Sequence, residues 1–122
     1  MNFLNGNQNR CGRNREAGRP IRYTFRAPDK RRPVLLLTRN SAILLLTGIT
    51  VAPLTITIRD IPSEVLLTPE EDGVPETCVV NTDNIQTMQK ENLGALITQL
   101  SPARMSEVRN AIEFSLGFDA LR

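Results

Sequence analysis

Arg32 stands directly before Pro33 and the aliphatic run Val34-Leu35-Leu36-Leu37. Its guanidinium is fixed in charge and forks onto two oxygens of one phosphate. Pro33 fixes the backbone behind it, so the side chain starts from a rigid element. Thr55 follows a second apolar run, Val51-Ala52-Pro53-Leu54. A hydroxyl at a strand end can donate to a phosphate oxygen as charge develops there. Thr57, two residues on, is a near-equal candidate. Asp83 and Asp29 supply carboxylates that can accept a proton or orient a guanidinium. Around them Arg26, Lys30, Arg31, Arg39 and Arg59 can line a path for a phosphate backbone. Each of these also has a plainer reading: a surface Arg at a strand start, a strand Thr, a turn-forming Asp within Asn81-Thr82-Asp83-Asn84, and solvated surface charge.

The chain contains no His, which removes the commonest general base and the commonest metal ligand together. Cys11 and Cys78 lack metal-ligand spacing and read as free thiols in a reducing cytoplasm. Neither a metal nor a cofactor is expected. With no Trp and one Tyr, a platform for stacking bases is not expected either, so nucleic-acid binding would lean on charge. The net charge of +2 hides an asymmetry: residues 1–39 carry ten Lys/Arg against two acids, and residues 40–122 carry five against eleven. The basic third is a plausible phosphate-facing surface. Met1-Asn2-Phe3-Leu4-Asn5 lacks the apolar stretch of a signal peptide. Ser41 to Ile58 is free of charge, but its four Thr, one Gly and one Pro suit buried strands better than a helix in lipid.

At 122 residues the chain has room for one domain. Residues 1–17, rich in Asn, Gly and Arg, read as a disordered basic arm, with a folded domain over 18–122. Strands are expected at Ile21–Phe25, at Pro33–Thr38 as a central strand buried on both faces, at Ile49–Leu54, at Ser63–Leu67 and at Thr77–Asn81. Ile85–Met88 reads as a continuation of the strand at Thr77–Asn81, and Leu96–Leu100 as the last strand. Pro53 implies an edge, a bulge or a strand end. Arg39-Asn40-Ser41 reads as a break, Glu70–Gly73 as a turn with Gly at positive φ, and Gln89–Asn92 as a short helical turn. Ser101 is a helix cap with Pro102 behind it; Met105, Val108, Ala111, Ile112 and Ser115/Leu116 recur at helical spacing, and Gly117 ends the helix. The class is mainly β with one C-terminal helix, a small barrel-like sheet.

Four segments in order carry a resemblance: Arg31-Arg32-Pro33-Val34-Leu35-Leu36-Leu37, Val51-Ala52-Pro53-Leu54-Thr55, Val79-Val80-Asn81-Thr82-Asp83-Asn84-Ile85, and Leu100-Ser101-Pro102-Ala103-Arg104-Met105. Together, over about residues 18 to 118, the chain resembles the MazF/PemK toxins of type II toxin–antitoxin systems. The resemblance implies a small SH3-like barrel paired into a homodimer. It also implies a metal-independent endoribonuclease that cuts single-stranded RNA through the substrate's own 2′-hydroxyl, and a cognate antitoxin that blocks the RNA groove. It casts Arg32 and Thr55 as catalytic, with Asp83 beside them. Arg26, Asp29, Lys30, Arg31, Arg39, Thr57, Arg59, Asn81 and Asn84 are the positions where RNA contact is expected. Two other readings keep the architecture and change the chemistry: a gyrase-poisoning toxin of the same fold, and a non-catalytic nucleic-acid-binding barrel.

Overall fold

A computed structural model of the chain describes residues 18–26 and 30–121. The arm expected over residues 1–17 and the carboxylate of Asp29 lie outside the described residues. Seven strands are present: β1 Pro20–Arg26, β2 Lys30–Leu36, β3 Gly48–Thr55, β4 Glu64–Leu67, β5 Cys78–Asn81, β6 Gln86–Gln89 and β7 Leu93–Gln99. Three α-helices punctuate them: α1 Asn40–Ile43, α2 Pro69–Asp72 and α3 Pro102–Ser115. The strands form one antiparallel sheet in the order β4-β5-β3-β2-β1-β7, with β6 also paired to β3. This is the expected mainly-β architecture, a half-barrel with its long helix at the C-terminus.

Alternation along β2 explains its central place. Leu35 joins one apolar cluster with Ile21, Ala52, Leu54, Val80, Leu100 and Val108, while Val34 and Leu36 join a second with Ile49 and Val51. Successive residues of a strand point to opposite faces, so a continuous aliphatic run fits only a strand covered on both sides. Helix α3 covers the first face. Its Val108 and Ala111 are buried, Met105 and Ile112 pack against the cluster, and Leu116 lies outside it, 57% exposed. Ser101 caps the helix by accepting from the Arg104 N–H at 3.2 Å, with Pro102 in the first turn.

The two edges of the sheet are tied by side chains. Thr98 Oγ1 of β7 donates to the Asp72 carbonyl at the end of α2, at 3.0 Å. Gly73 follows with φ 76°, and a Cβ there would lie 2.8 Å from Thr98 Oγ1. Both the left-handed backbone and the close approach therefore select glycine. Arg104 of α3 completes the tie through Asp72 Oδ1 at 2.9 Å and Glu71 Oε1 at 2.6 Å.

Two expectations are corrected by the structure. Residues 85–88 do not extend the strand at 77–81. A 3₁₀ turn at Thr82–Asn84, capped by Asn81 Oδ1 accepting from the Asp83 N–H at 3.0 Å, separates β5 from β6. Both then pair with β3, β6 along residues 48–51 and β5 along 54–55. The expected break at Arg39-Asn40-Ser41 is present, and α1 begins within it at Asn40. Pro53 lies inside β3, opposite Val34 of β2. Leu37 N–H donates to the Thr50 carbonyl, so by alternation the 34–53 pair is the kind that exchanges no hydrogen bonds. The missing N–H of Pro53 thus faces the gap between β6 and β5, where no ladder bond is lost.

Candidate active site

The β2–β3 ladder runs from Leu36–Val51 to Val34–Pro53 and stops. By the same alternation the next residue of β2 would donate to β3, and that residue is Pro33, which has no N–H to give. Continued two positions, the register sets Arg32 opposite Thr55. Beyond the stop lies a groove of about 430 Å³, lined among others by Tyr23, Arg32, Pro33, Pro53, Thr55 and Glu76. Pro33 thus ends the ladder at the place where a guanidinium and a hydroxyl come to one groove.

The site is basic on one wall. Arg31 lies with its guanidinium 4.0 Å from the centre of the Tyr23 ring, a cation–π contact that braces both side chains on the groove wall. Arg32 is exposed, and among the described residues no hydrogen bond or ion pair is made by its guanidinium, which leaves its fork available to a phosphate. Thr55 Oγ1 accepts from the Thr57 N–H at 3.1 Å, leaving the hydroxyl proton of Thr55 to be donated elsewhere. Cys78 lies in the groove floor, and burial, then Glu76 and Asp72, push its thiol up to about 11. It stays protonated and is a packing residue there.

The other expected residues divide. Arg31 joins Arg32 and Thr55 in the groove. Thr57 contributes its N–H to Thr55. Arg26 and Lys30 face each other in backbone register across the β1–β2 hairpin. Arg39 sits by α1, where its Nε donates to Ser41 Oγ at 3.2 Å. The Arg59 and Asp60 N–H groups both donate to Glu64 Oε1, at 2.9 and 3.1 Å. That clamp holds Asp60 at φ 57° in the loop after β3. Asp83 does not line the groove: its Oδ2 accepts from the buried Ser63 hydroxyl at 2.6 Å. Asn81 caps the turn that carries Asp83, and Asn84 ends that turn, exposed.

Sequence reasoning missed Glu76, the one carboxylate among the described residues that line the groove. Its position between Pro75 and Cys78 in a polar turn carries no pattern that marks it. Among the described residues no group of three His, Cys, Asp or Glu side chains is gathered to hold a metal ion.

A family model described as the PemK-like, MazF-like toxin of type II toxin–antitoxin systems matches residues 21–116. The chain belongs to this MazF-like toxin family. Its relatives include the probable endoribonuclease MazF2 of Mycobacterium tuberculosis strain H37Rv, 42% identical over 90 residues that make up 74% of this chain and 88% of that one. Among solved structures, the Mycobacterium tuberculosis toxin MazF-mt6 superposes with a TM-score of 0.74 at 35% identity, covering 81% of this MazF-like chain and 97% of the other. An endoribonuclease from a mycobacterial species, solved in complex with its cognate antitoxin, superposes with a TM-score of 0.70 at 28% identity, covering 80% and 91%. No described helix of this MazF-like chain is long and apolar enough to cross a membrane.

Proposed function

We propose that this MazF-like chain is an endoribonuclease toxin that cuts single-stranded RNA in the cytoplasm and is neutralised by a cognate antitoxin. The observation that carries the reading is the pairing of Arg32 and Thr55 across one groove where the β2–β3 ladder ends. Cleavage through the substrate's 2′-hydroxyl needs a base for that proton, an acid for the leaving 5′ oxygen and donors for the charge on the phosphorane. Arg32 forks onto the non-bridging oxygens and Thr55 donates as charge builds. Glu76, in the same groove, accepts the 2′ proton and returns it to the 5′ oxygen, so the products are a cyclic phosphate and a 5′-hydroxyl. The nucleophile belongs to the substrate, so no metal-bound water is called for. The same chemistry separates this reading from a gyrase poison, which needs no such pair.

The test is direct. A long defined RNA incubated with the purified protein in excess EDTA should be cut at a short recurrent motif, leaving 5′-hydroxyl ends. Activity lost to EDTA and restored by Mg²⁺, or no cutting at all, would overturn the reading.

A further inference from the structure

Arg32 walls a second depression as well as the catalytic groove. It holds about 120 Å³ and is lined by Arg32, Val51, Pro53, Gln86, Met88 and Asn92 among others. The strand register explains the gathering. Val51 lies opposite Gln86 and Ile49 opposite Met88 across β3–β6, and Val51 and Ile49 belong to the second apolar cluster. Arg32 alternates onto that same face with Val34 and Leu36. The floor is therefore aliphatic, with a thioether, and the polar groups of the lining are one guanidinium, two carboxamides and the hydroxyl of Thr24.

We propose that this depression is a nucleobase pocket, in which Gln86 and Asn92 read the edge of one base beside the scissile phosphate. The proposal rests on the endoribonuclease reading and adds to it a specificity site. Four observations bear on it. The volume is far below the several hundred Å³ that hold drug-sized ligands, and it suits one planar ring. Val34, Val51, Pro53 and Met88 give the depression an apolar floor for the face of a base, and polar groups stand around that floor. Among the described residues the side-chain amides of Gln86 and Asn92 make no hydrogen bond, so their donors and acceptors are free for a ligand. Arg32 and Pro53 border both depressions, so a phosphate on Arg32 delivers its neighbouring base to this one. A second phosphate is disfavoured here, because among the described residues Arg32 is the only cation on the lining. Single-stranded RNA is read in this way, with splayed bases held on their hydrogen-bonding edges.

A carboxamide offers a donor beside an acceptor, whereas a carboxylate offers acceptors only. Gln86→Glu should therefore shift preference at one position next to the cut toward guanine, whose N1–H and N2–H₂ are adjacent donors. Asn92→Asp should alter the same position, and Asn92→Ala should relax it. Asn92 is exposed, so its variants keep the question answerable if Gln86→Glu fails to fold. The measurement is the map of 5′-hydroxyl ends on a long defined RNA, for wild type and each variant, with melting curves alongside. The expected change is about tenfold or more in relative base usage at that single position, the scale of one lost or gained bidentate base contact. Folded variants that keep the wild-type motif at every position would overturn the proposal while leaving the endoribonuclease reading intact. A wild-type protein that cuts no RNA would overturn both.

Discussion

Arg32 and Thr55 come from different strands, and each is ordinary on its own: an exposed Arg and a half-buried Thr. Their value lies in being opposed where no ladder bond fills the space between them. Arg32→Ala and Thr55→Ala should each lower the cleavage rate by about a hundredfold or more, as loss of one preorganised donor to a developing oxyanion does, with melting temperature retained. A variant that cuts at nearly the wild-type rate would remove that residue from the site. The carboxylates allow a sharper comparison. Glu76→Gln should slow cleavage by about a hundredfold, the lower range for losing a proton-transfer group. Asp83→Ala should instead act on stability, because it leaves the Ser63 hydroxyl, 1% exposed, without its acceptor. That costs about 1–3 kcal/mol, read as a lower melting temperature with the rate of the folded enzyme close to wild type. The reverse pattern would return the catalytic carboxylate to Asp83. Sequence alone favoured Asp83 because it stands in a motif; nothing local marks Glu76, which reaches the groove only through the packing of β5 beside β3.

Among the elements, α2, β7 and α3 depend on one another. Asp72, whose side chain is 3% exposed, accepts from the Thr68 N–H and from Arg104, and Arg104 also meets Glu71 and Glu107. Asp72 above all, and then Glu107, raise the pKa of the Arg104 guanidinium further, so it is cationic at every working pH. Arg104→Ala would strand a nearly buried carboxylate. The expected loss is about 3 kcal/mol, a fall of about 10 °C or more in melting temperature for a domain of this size. The cut motif should stay the same while the protein is folded, since Arg104 lies apart from the groove. A melting temperature within about 2 °C of wild type would show that water replaces the guanidinium without cost. The cap, first-turn proline and apolar spacing of α3 were legible in the sequence because helix ends are local events. The tie between Arg104 and Asp72 was not, since 32 residues separate them.

At the scale of the molecule, one protomer leaves large apolar side chains in solvent: Leu44 is 88% exposed and Leu45 is 82% exposed. Exposed apolar surface of this kind is commonly covered by a partner, and two-fold pairing is the commonest arrangement in oligomers. We expect a homodimer, as the family resemblance implied. Light scattering at micromolar concentration should give twice the 13.6 kDa chain mass. A monomeric mass with full cleavage activity would refute the pairing.

The sequence by itself determined the mainly-β class, the central strand around Leu35, the helix from Pro102, the family, and Arg32 and Thr55 as the pair to watch. These are matters of alternation, capping and short motifs, which are written within a few residues of one another. Tertiary structure alone decided that 85–88 is a separate strand, that Asp83 serves Ser63, that Glu76 enters the groove and that Gln86 and Asn92 share a depression with Arg32. The physical reason is pairing at a distance. β3 has one edge and two successive partners on it, and which residues those partners bring depends on where a 3₁₀ turn separates them and where Pro33 ends the β2–β3 hydrogen bonds. No local propensity encodes that outcome.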